Sequence, residues 1–213
     1  MKSKLKFQNL FLIVALISAL QQWGFSQSIV GMAIAKSDDD VYVWYSNGTA
    51  SAGSSSDLTS TRAPYYFSLP PGKSAYNIVG MGISASDHVY AWYDDWTVSA
   101  GTSWDLNSRR ETYRYSLPPG KSPGNIVGMA ISSGDNVYVW FNDGTVAAGH
   151  SWDLNSVRET YRYSLPPGKS PGDIVGMGIA ADDHVYVWFS DGTVCSGTTS
   201  DLDEYRALYR YGR

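Results

Sequence analysis

The most constraining feature of this chain is that it repeats itself four times. Ile-Val-Gly-Met begins at Ile29, Ile78, Ile126 and Ile174, and Trp44, Trp92, Trp140 and Trp188 keep a constant 48-residue spacing. Ser-Leu-Pro-Pro-Gly-Lys-Ser closes the first three units, from Ser68, Ser116 and Ser164, and the fourth runs to Arg213. A fixed period of this size means that one supersecondary unit recurs and buries its apolar faces against its own copies.

The third unit shows what that element is. Ile126 to Ser132 is a short apolar run containing Gly128, suited to a crowded inner strand. A turn at Gly134 to Asn136 leads to Val137–Asn142, which alternates β-formers. Asp143-Gly144 supplies the positive φ angles of a tight hairpin, and Thr145 to Gly149 returns as a third strand. Tyr161 to Leu165 makes the outer strand, ended by Pro166-Pro167-Gly168. Four antiparallel strands in about 48 residues match one blade of a β-propeller. The expected fold is therefore all-β, with blades at approximately 28–76, 77–124, 125–172 and 173–213. Closure within one chain and an open arc completed by a homo-oligomer both stay open, because no strand is visibly held over to clasp the ring.

The first 26 residues differ in kind. Lys2, Lys4 and Lys6 precede an apolar run from Leu10 to Leu20, and small residues stand at Gly24 and Ser26. This is the pattern of an export signal cleaved before Gln27. The apolar run is about half the roughly 20 residues that a spanning helix needs, so membrane insertion is not expected. The mature protein, residues 27–213, is read as a secreted propeller domain. With the single Cys195, no intramolecular disulfide can form. Cys195 takes the place of Ser51, Ser99 and Ala147 and reads as a small packed residue.

A formal net charge of −4 gives no basic footprint for a phosphate backbone, which argues against nucleic acid. The aromatic set leans to polar-tipped rings, with 16 Tyr and 8 Trp against 6 Phe, as half-exposed binding surfaces require.

The run Asp173-Ile-Val-Gly-Met-Gly-Ile, then His184-Val-Tyr-Val-Trp-Phe-Ser-Asp-Gly-Thr-Val, with Tyr161-Arg-Tyr-Ser-Leu-Pro-Pro-Gly-Lys, resembles the blade of the PLL-like bacterial lectins. The likeness covers essentially all of the mature chain. It implies a seven-bladed propeller that binds fucose or related sugars in clefts between blades, without catalysis. This chain departs from that pattern in having four repeats.

Comparing the units with one another separates framework from variation. Trp44 and its equivalents recur in every unit and are expected to pack between blades. The Arg at 62, 110, 158 and 206 also recurs, and either a ligand oxygen or the nearby Asp57, Asp105, Asp153 or Asp201 could hold it. The segment after the third strand varies: units two and three carry Trp104 and Trp152 where units one and four have Ser56 and Ser200. An indole packs on the C–H face of a sugar, and polar side chains meet its hydroxyls. The candidate carbohydrate-binding sets are Trp104, Asp105, Asn107, Arg110 and Glu111, and Trp152, Asp153, Asn155, Arg158 and Glu159. The alternative is that both Trp cover a neighbouring blade or a partner chain. His150, beside Trp152, could touch the same ligand.

No cofactor or metal is expected. Asp38-Asp39-Asp40 has ordinary turn residues as its equivalents in the other units, and His88 and His184 belong to those turns. No serine elbow, phosphate loop or zinc motif is present. Polar groups spread evenly over four units favour binding over catalysis, with glycans as partners and several sites on one rigid body. A non-catalytic protein-interaction or structural propeller is the second reading.

Overall fold

The computed structural model describes residues 28–212. The proposed export signal lies outside the described residues. Four antiparallel sheets each hold four strands in sequence order. Blade 1 is β1 (Ile29–Ile34), β2 (Val41–Tyr45), β3 (Thr49–Gly53) and β4 (Arg62–Tyr66). Blade 2 is β5 (Ile78–Ile83), β6 (Val89–Tyr93), β7 (Thr97–Gly101) and β8 (Arg110–Arg114). Blade 3 is β9 (Ile126–Ile131), β10 (Val137–Phe141), β11 (Thr145–His150) and β12 (Asp153–Arg162). Blade 4 is β13 (Ile174–Ile179), β14 (Val185–Phe189), β15 (Thr193–Gly197) and β16 (Arg206–Arg210).

The ring closes within one chain. β1 packs against both β5 and β13, and β9 against the same two strands, so the inner strands surround one axis. A four-bladed β-propeller results, in place of the seven blades that the resemblance implies. The apolar core is divided into four equivalent layers between blades. In one, Ala33, Trp44 and Ala50 of blade 1 meet Met81, Ile83, Ala91 and Tyr93 of blade 2. In the closing layer Trp188 and Val194 of blade 4 meet Met32, Ile34, Val43 and Tyr45 of blade 1.

The Ile-Val-Gly-Met motif has its explanation at the axis. A Cβ on Gly31 would lie 2.3 Å from the Met81 sulfur, and Gly80, Gly128 and Gly176 stand likewise against Met129, Met177 and Met32. Each glycine is the socket for the methionine of the adjoining blade. All four Trp of the second strands are fully buried, and their indole N–H groups donate to carbonyls of the adjoining blade. Trp44 reaches Ser103 at 3.1 Å and Trp188 reaches Ser55 at 3.0 Å, so the closing join repeats the internal ones.

The outer strand differs from its expected span. It runs from Arg110 to Arg114 in blade 2 and ends at Arg162 in blade 3, earlier than the Tyr161–Leu165 expectation. The Ser-Leu that follows leaves its own blade: Ser68, Ser116 and Ser164 form parallel bridges with Asp105, Asp153 and Asp201 of the next. Gly212 takes the same part at the closing join, donating to Ser56 at 2.8 Å and accepting from Leu58 at 3.4 Å. The clasp is a two-residue bridge, too short to show as a strand pattern.

Cys195 is buried, its thiol reaching the Leu202 carbonyl at 3.0 Å where Ser51 and Ser99 bond Leu58 and Leu106. Burial pushes the thiol up to about 12, far from a reactive thiolate.

Candidate functional site

Antiparallel order places the turns between first and second strands at the same end of the disc as the loops between third and fourth strands. At that end, a cleft opens where two blades meet. Tyr42, Ser37 and Ala35 of blade 1, with Asp87, Thr102, Ser103 and Trp104 of blade 2, line a cavity of about 190 Å³. The next cleft, about 230 Å³, is lined by Ser84, Ser86 and Tyr90 of blade 2 and Asp135, His150, Ser151 and Trp152 of blade 3. A third, also about 230 Å³, joins Ser132, Asn136 and Tyr138 of blade 3 to Asp183 and Thr199 of blade 4 and lacks an indole.

Strand alternation explains the tyrosine wall. In Val-Tyr-Val-Trp the valines face one interblade layer, while Tyr42 and Trp44 share the opposite face, stacked with centroids 6.0 Å apart. Trp44 is swallowed by the core, and Tyr42, nearer the loop end, is left half-buried in the cleft. Trp104 and Trp152 are 56% and 54% exposed, so about half of each ring stays open to solvent at its cleft.

Tyr42 and Tyr90 are raised above the ordinary phenol value, chiefly by burial. Tyr113, raised by the same cause, donates to Ser151 at 2.7 Å. The Tyr42 and Tyr90 hydroxyls therefore stay protonated at neutral pH and can donate to a ligand oxygen, whereas that of Tyr113 is committed to Ser151. His150 stacks on Trp152 with centroids 5.2 Å apart and lines the same cleft.

The two sequence-derived sets are each divided by the structure. Trp104 faces Tyr42 of blade 1, whereas Arg110 stacks 3.8 Å over Tyr113, whose hydroxyl is bound to Ser151 of blade 3. Arg110 thus stands beside the cleft of Trp152, one cleft away from Trp104. Arg158 likewise stacks 3.7 Å over Tyr161 at the join to blade 4. Among the described residues no Arg–Asp ion pair forms; cation–π stacking holds Arg62, Arg110, Arg158 and Arg206 in every blade.

Asp105 and Asp153 organise their loops. Their carboxylates accept the backbone N–H of Asn107 (3.1 Å) and Asn155 (3.3 Å), as Asp57 does for Thr59. Asn107 and Asn155 are half-buried, and each keeps a side-chain oxygen without a donor among the described residues. Glu111 and Glu159 lie exposed on the outer strands β8 and β12. Tyr42, Tyr90, Asp87 and Asp135 complete the clefts and escaped the sequence reading, which looked for residues that differ between units. The signal for Tyr42 and Tyr90 was the Tyr that recurs in every second strand, and for Asp87 and Asp135 the Asp that recurs in every turn before it.

Among the described residues no cluster of three or more His, Cys, Asp or Glu is arranged to hold a metal ion. The arrangement as it stands offers flat apolar faces, protonated phenols and carboxylate acceptors around a small void, which suits a compact polyhydroxylated ligand.

No family model matches the chain, and no curated protein matches it. Among solved structures it is similar to streptogramin B lyase, at 13% identity over 89% of this chain and 56% of that one, with a TM-score of 0.40. It is also similar to the WD40 repeats of RRP9, at 15% identity over 89% and 52%, with a TM-score of 0.39. A protein of unknown function from Bacteroides caccae matches at 10% identity over 87% and 61%, with a TM-score of 0.42. The chain spans between 52% and 61% of the length of these structures.

Proposed function

We propose that this protein is a secreted, non-catalytic lectin that binds fucose or related monosaccharides on glycans in the clefts between blades. The observation that carries the reading is the pair of half-exposed indoles, Trp104 and Trp152, each set across a small cavity from a tyrosine of the preceding blade. A sugar's C–H face packs on such an indole, and its hydroxyls meet Tyr, Ser and Asp groups on the rim. The resemblance of the repeat to the PLL-like lectins supports the same ligand class. Both clefts open at one end of the disc, so a glycan-covered surface would meet two sites at once. Bivalent engagement raises avidity by about 10²–10⁴ over one weak site. The strands are held by backbone ladders and buried cores, so little ordering cost is added on binding.

The test is glycan-array binding by the protein from Gln27 onward, competed by free fucose or galactose. Selective, sugar-competed binding that is lost in Trp104→Ala/Trp152→Ala supports the reading. Capture of a partner that free sugar does not displace would instead support a protein-interaction propeller, for which the exposed Tyr66 and Tyr76 offer contact area.

A further inference from the structure

The four turns between first and second strands carry one aspartate each at the same place: Asp39, Asp87, Asp135 and Asp183, all with left-handed φ between 57° and 63°. Three of them latch adjoining blades. Asp135 accepts the Ala85 N–H at 2.7 Å, and Asp39 accepts the Ala181 N–H at 3.0 Å. Asp183 takes both the N–H and the hydroxyl of Ser133, at 2.8 and 2.9 Å.

Asp87 has no such bond to any described residue. The cause is in blade 1, whose turn from Ala35 to Asp40 is one residue longer than the Ser84–His88 turn of blade 2. The added length places Lys36 at the axis, where its ammonium donates to the Ile179 carbonyl of blade 4. The amide that would have met Asp87 is displaced, and the lysine is committed elsewhere. Asp87 is left exposed, with a free carboxylate lining the cavity of Trp104 and Tyr42.

We infer that Asp87 is the acceptor for ligand hydroxyls in the cleft between blades 1 and 2, and that it selects neutral sugars with two adjacent free hydroxyls. The inference rests on the carbohydrate reading above. Both carboxylate oxygens can accept from a vicinal diol whose C–H face lies on Trp104, and such charge-assisted bonds are the strong ones. The same bare carboxylate repels an acidic sugar. The sister cleft is different: one oxygen of Asp135 is already occupied, and His150 stands where the first has Thr102. The two indole-bearing clefts are thus chemically unlike each other.

The experiment is calorimetric titration with methyl α-L-fucoside and methyl β-D-galactoside, alongside denaturant unfolding of each variant. Trp152→Ala isolates the cleft between blades 1 and 2. In that background Asp87→Asn is expected to weaken binding by about tenfold or more and to move the unfolding midpoint little, because the carboxylate accepts no hydrogen bond from any described residue and is the smallest of the four charges acting on Lys36. Asp135→Asn in the Trp104→Ala background is expected to lose less affinity and to lower the midpoint, because the bond from Ala85 then meets a neutral amide oxygen in place of a carboxylate. Unchanged affinity in Asp87→Asn, with binding intact in the Trp152→Ala parent, would overturn the role of Asp87 and leave the lectin reading standing. A midpoint lowered as far as in Asp135→Asn would overturn it too, showing a structural role. If the wild-type protein binds neither glycoside, the carbohydrate reading fails and this inference with it.

Discussion

Blades 2 and 3 share with blades 1 and 4 the glycine socket, the buried indole and the Asp-Leu turn that pack one sheet on the next. They differ from them at the exposed position before that turn, where Trp104 and Trp152 replace Ser56 and Ser200. The same division runs through the whole molecule. Positions inside the interblade layers recur because each must fit a copy of itself. The loops at the cleft-bearing end meet solvent and are free to diverge, and there the four joins become unequal. A framework residue and a cleft residue should therefore fail in opposite ways, and substitutions on either side of the boundary set them against each other.

The largest effect belongs to the framework. A Cβ on Gly101 would lie 1.9 Å from the backbone oxygen of Asp105, and Gly53, Gly149 and Gly197 are equally enclosed. Backbone cannot swing aside as a side chain can. Gly101→Ala is expected to lower stability by about 3 kcal/mol or more, measured by urea unfolding. A change below about 1 kcal/mol would mean that this loop is not held against its strand as tightly as the geometry requires.

Lys36 is a loop residue that crosses into the framework, so it probes the boundary. Burial lowers its ammonium from 10.5 to about 8, and Asp183, Asp39, Asp135 and Asp87 around the axis offset only part of that. Below pH 8 the folded and unfolded chains both carry the proton, and the burial cost is present in full. Between about 8 and 10 the folded protein sheds it first, and stability rises with pH. Above about 10 the buried tyrosines, themselves raised, ionise sooner in the unfolded chain and the gain reverses. Lys36→Met is expected to add about 1–3 kcal/mol at neutral pH and to abolish the rise between pH 8 and 10. Unfolding curves taken across that window for both proteins decide it.

How far each layer could be read from the chain follows from the same division. The four-stranded blade was legible, because strand alternation, Asp143-Gly144 and Pro166-Pro167 are local signals repeated at a fixed period. Closure was not, since it depends on Gly212 alone making the bridge to Asp57 that Ser68, Ser116 and Ser164 make at the other joins. Trp104 and Trp152 were legible as departures from the repeat. Tyr42 and Tyr90 were hidden by being common to all units. The assignment of Arg110 to the cleft of Trp152 could not be read, because adjacency in sequence puts it beside Trp104 and only the docking of blades separates them. Asp87 was concealed more deeply, as its freedom comes from an added residue in a different blade.

A smaller framework effect can be checked against a sister blade. The Tyr93 hydroxyl lies 3.0 Å from the Ser99 hydroxyl, which donates to the Leu106 carbonyl at 2.7 Å. Blade 3 has Phe141 and Ala147 at these places, with both hydroxyls gone together. Ser99→Ala alone leaves a buried phenol without its partner and is expected to cost about 1–2 kcal/mol. Tyr93→Phe/Ser99→Ala rebuilds the blade 3 pair and should recover most of the loss. Equal destabilisation in the single and double variants would show that the hydroxyl pair is not the unit that the repeats exchange.

The smallest stability effect belongs to the clefts, where the binding effect should be largest. Trp104→Ala and Trp152→Ala remove half-exposed rings and should each shift stability by no more than about 0.5 kcal/mol. The reverse substitution sharpens the comparison further. Ser200 is exposed at the indole position beside the cavity of Tyr138, Asp183 and Thr199, so Ser200→Trp supplies the face that this cleft lacks. It is expected to leave stability unchanged and to raise the sugar stoichiometry by one site, measured by calorimetry. Both oxygens of Asp183 are already bound by Ser133, so the new site should be weaker than the one at Asp87. A third site as tight as that one would mean that the indole alone sets affinity; no third site would mean that an indole and a tyrosine do not suffice without a free acceptor.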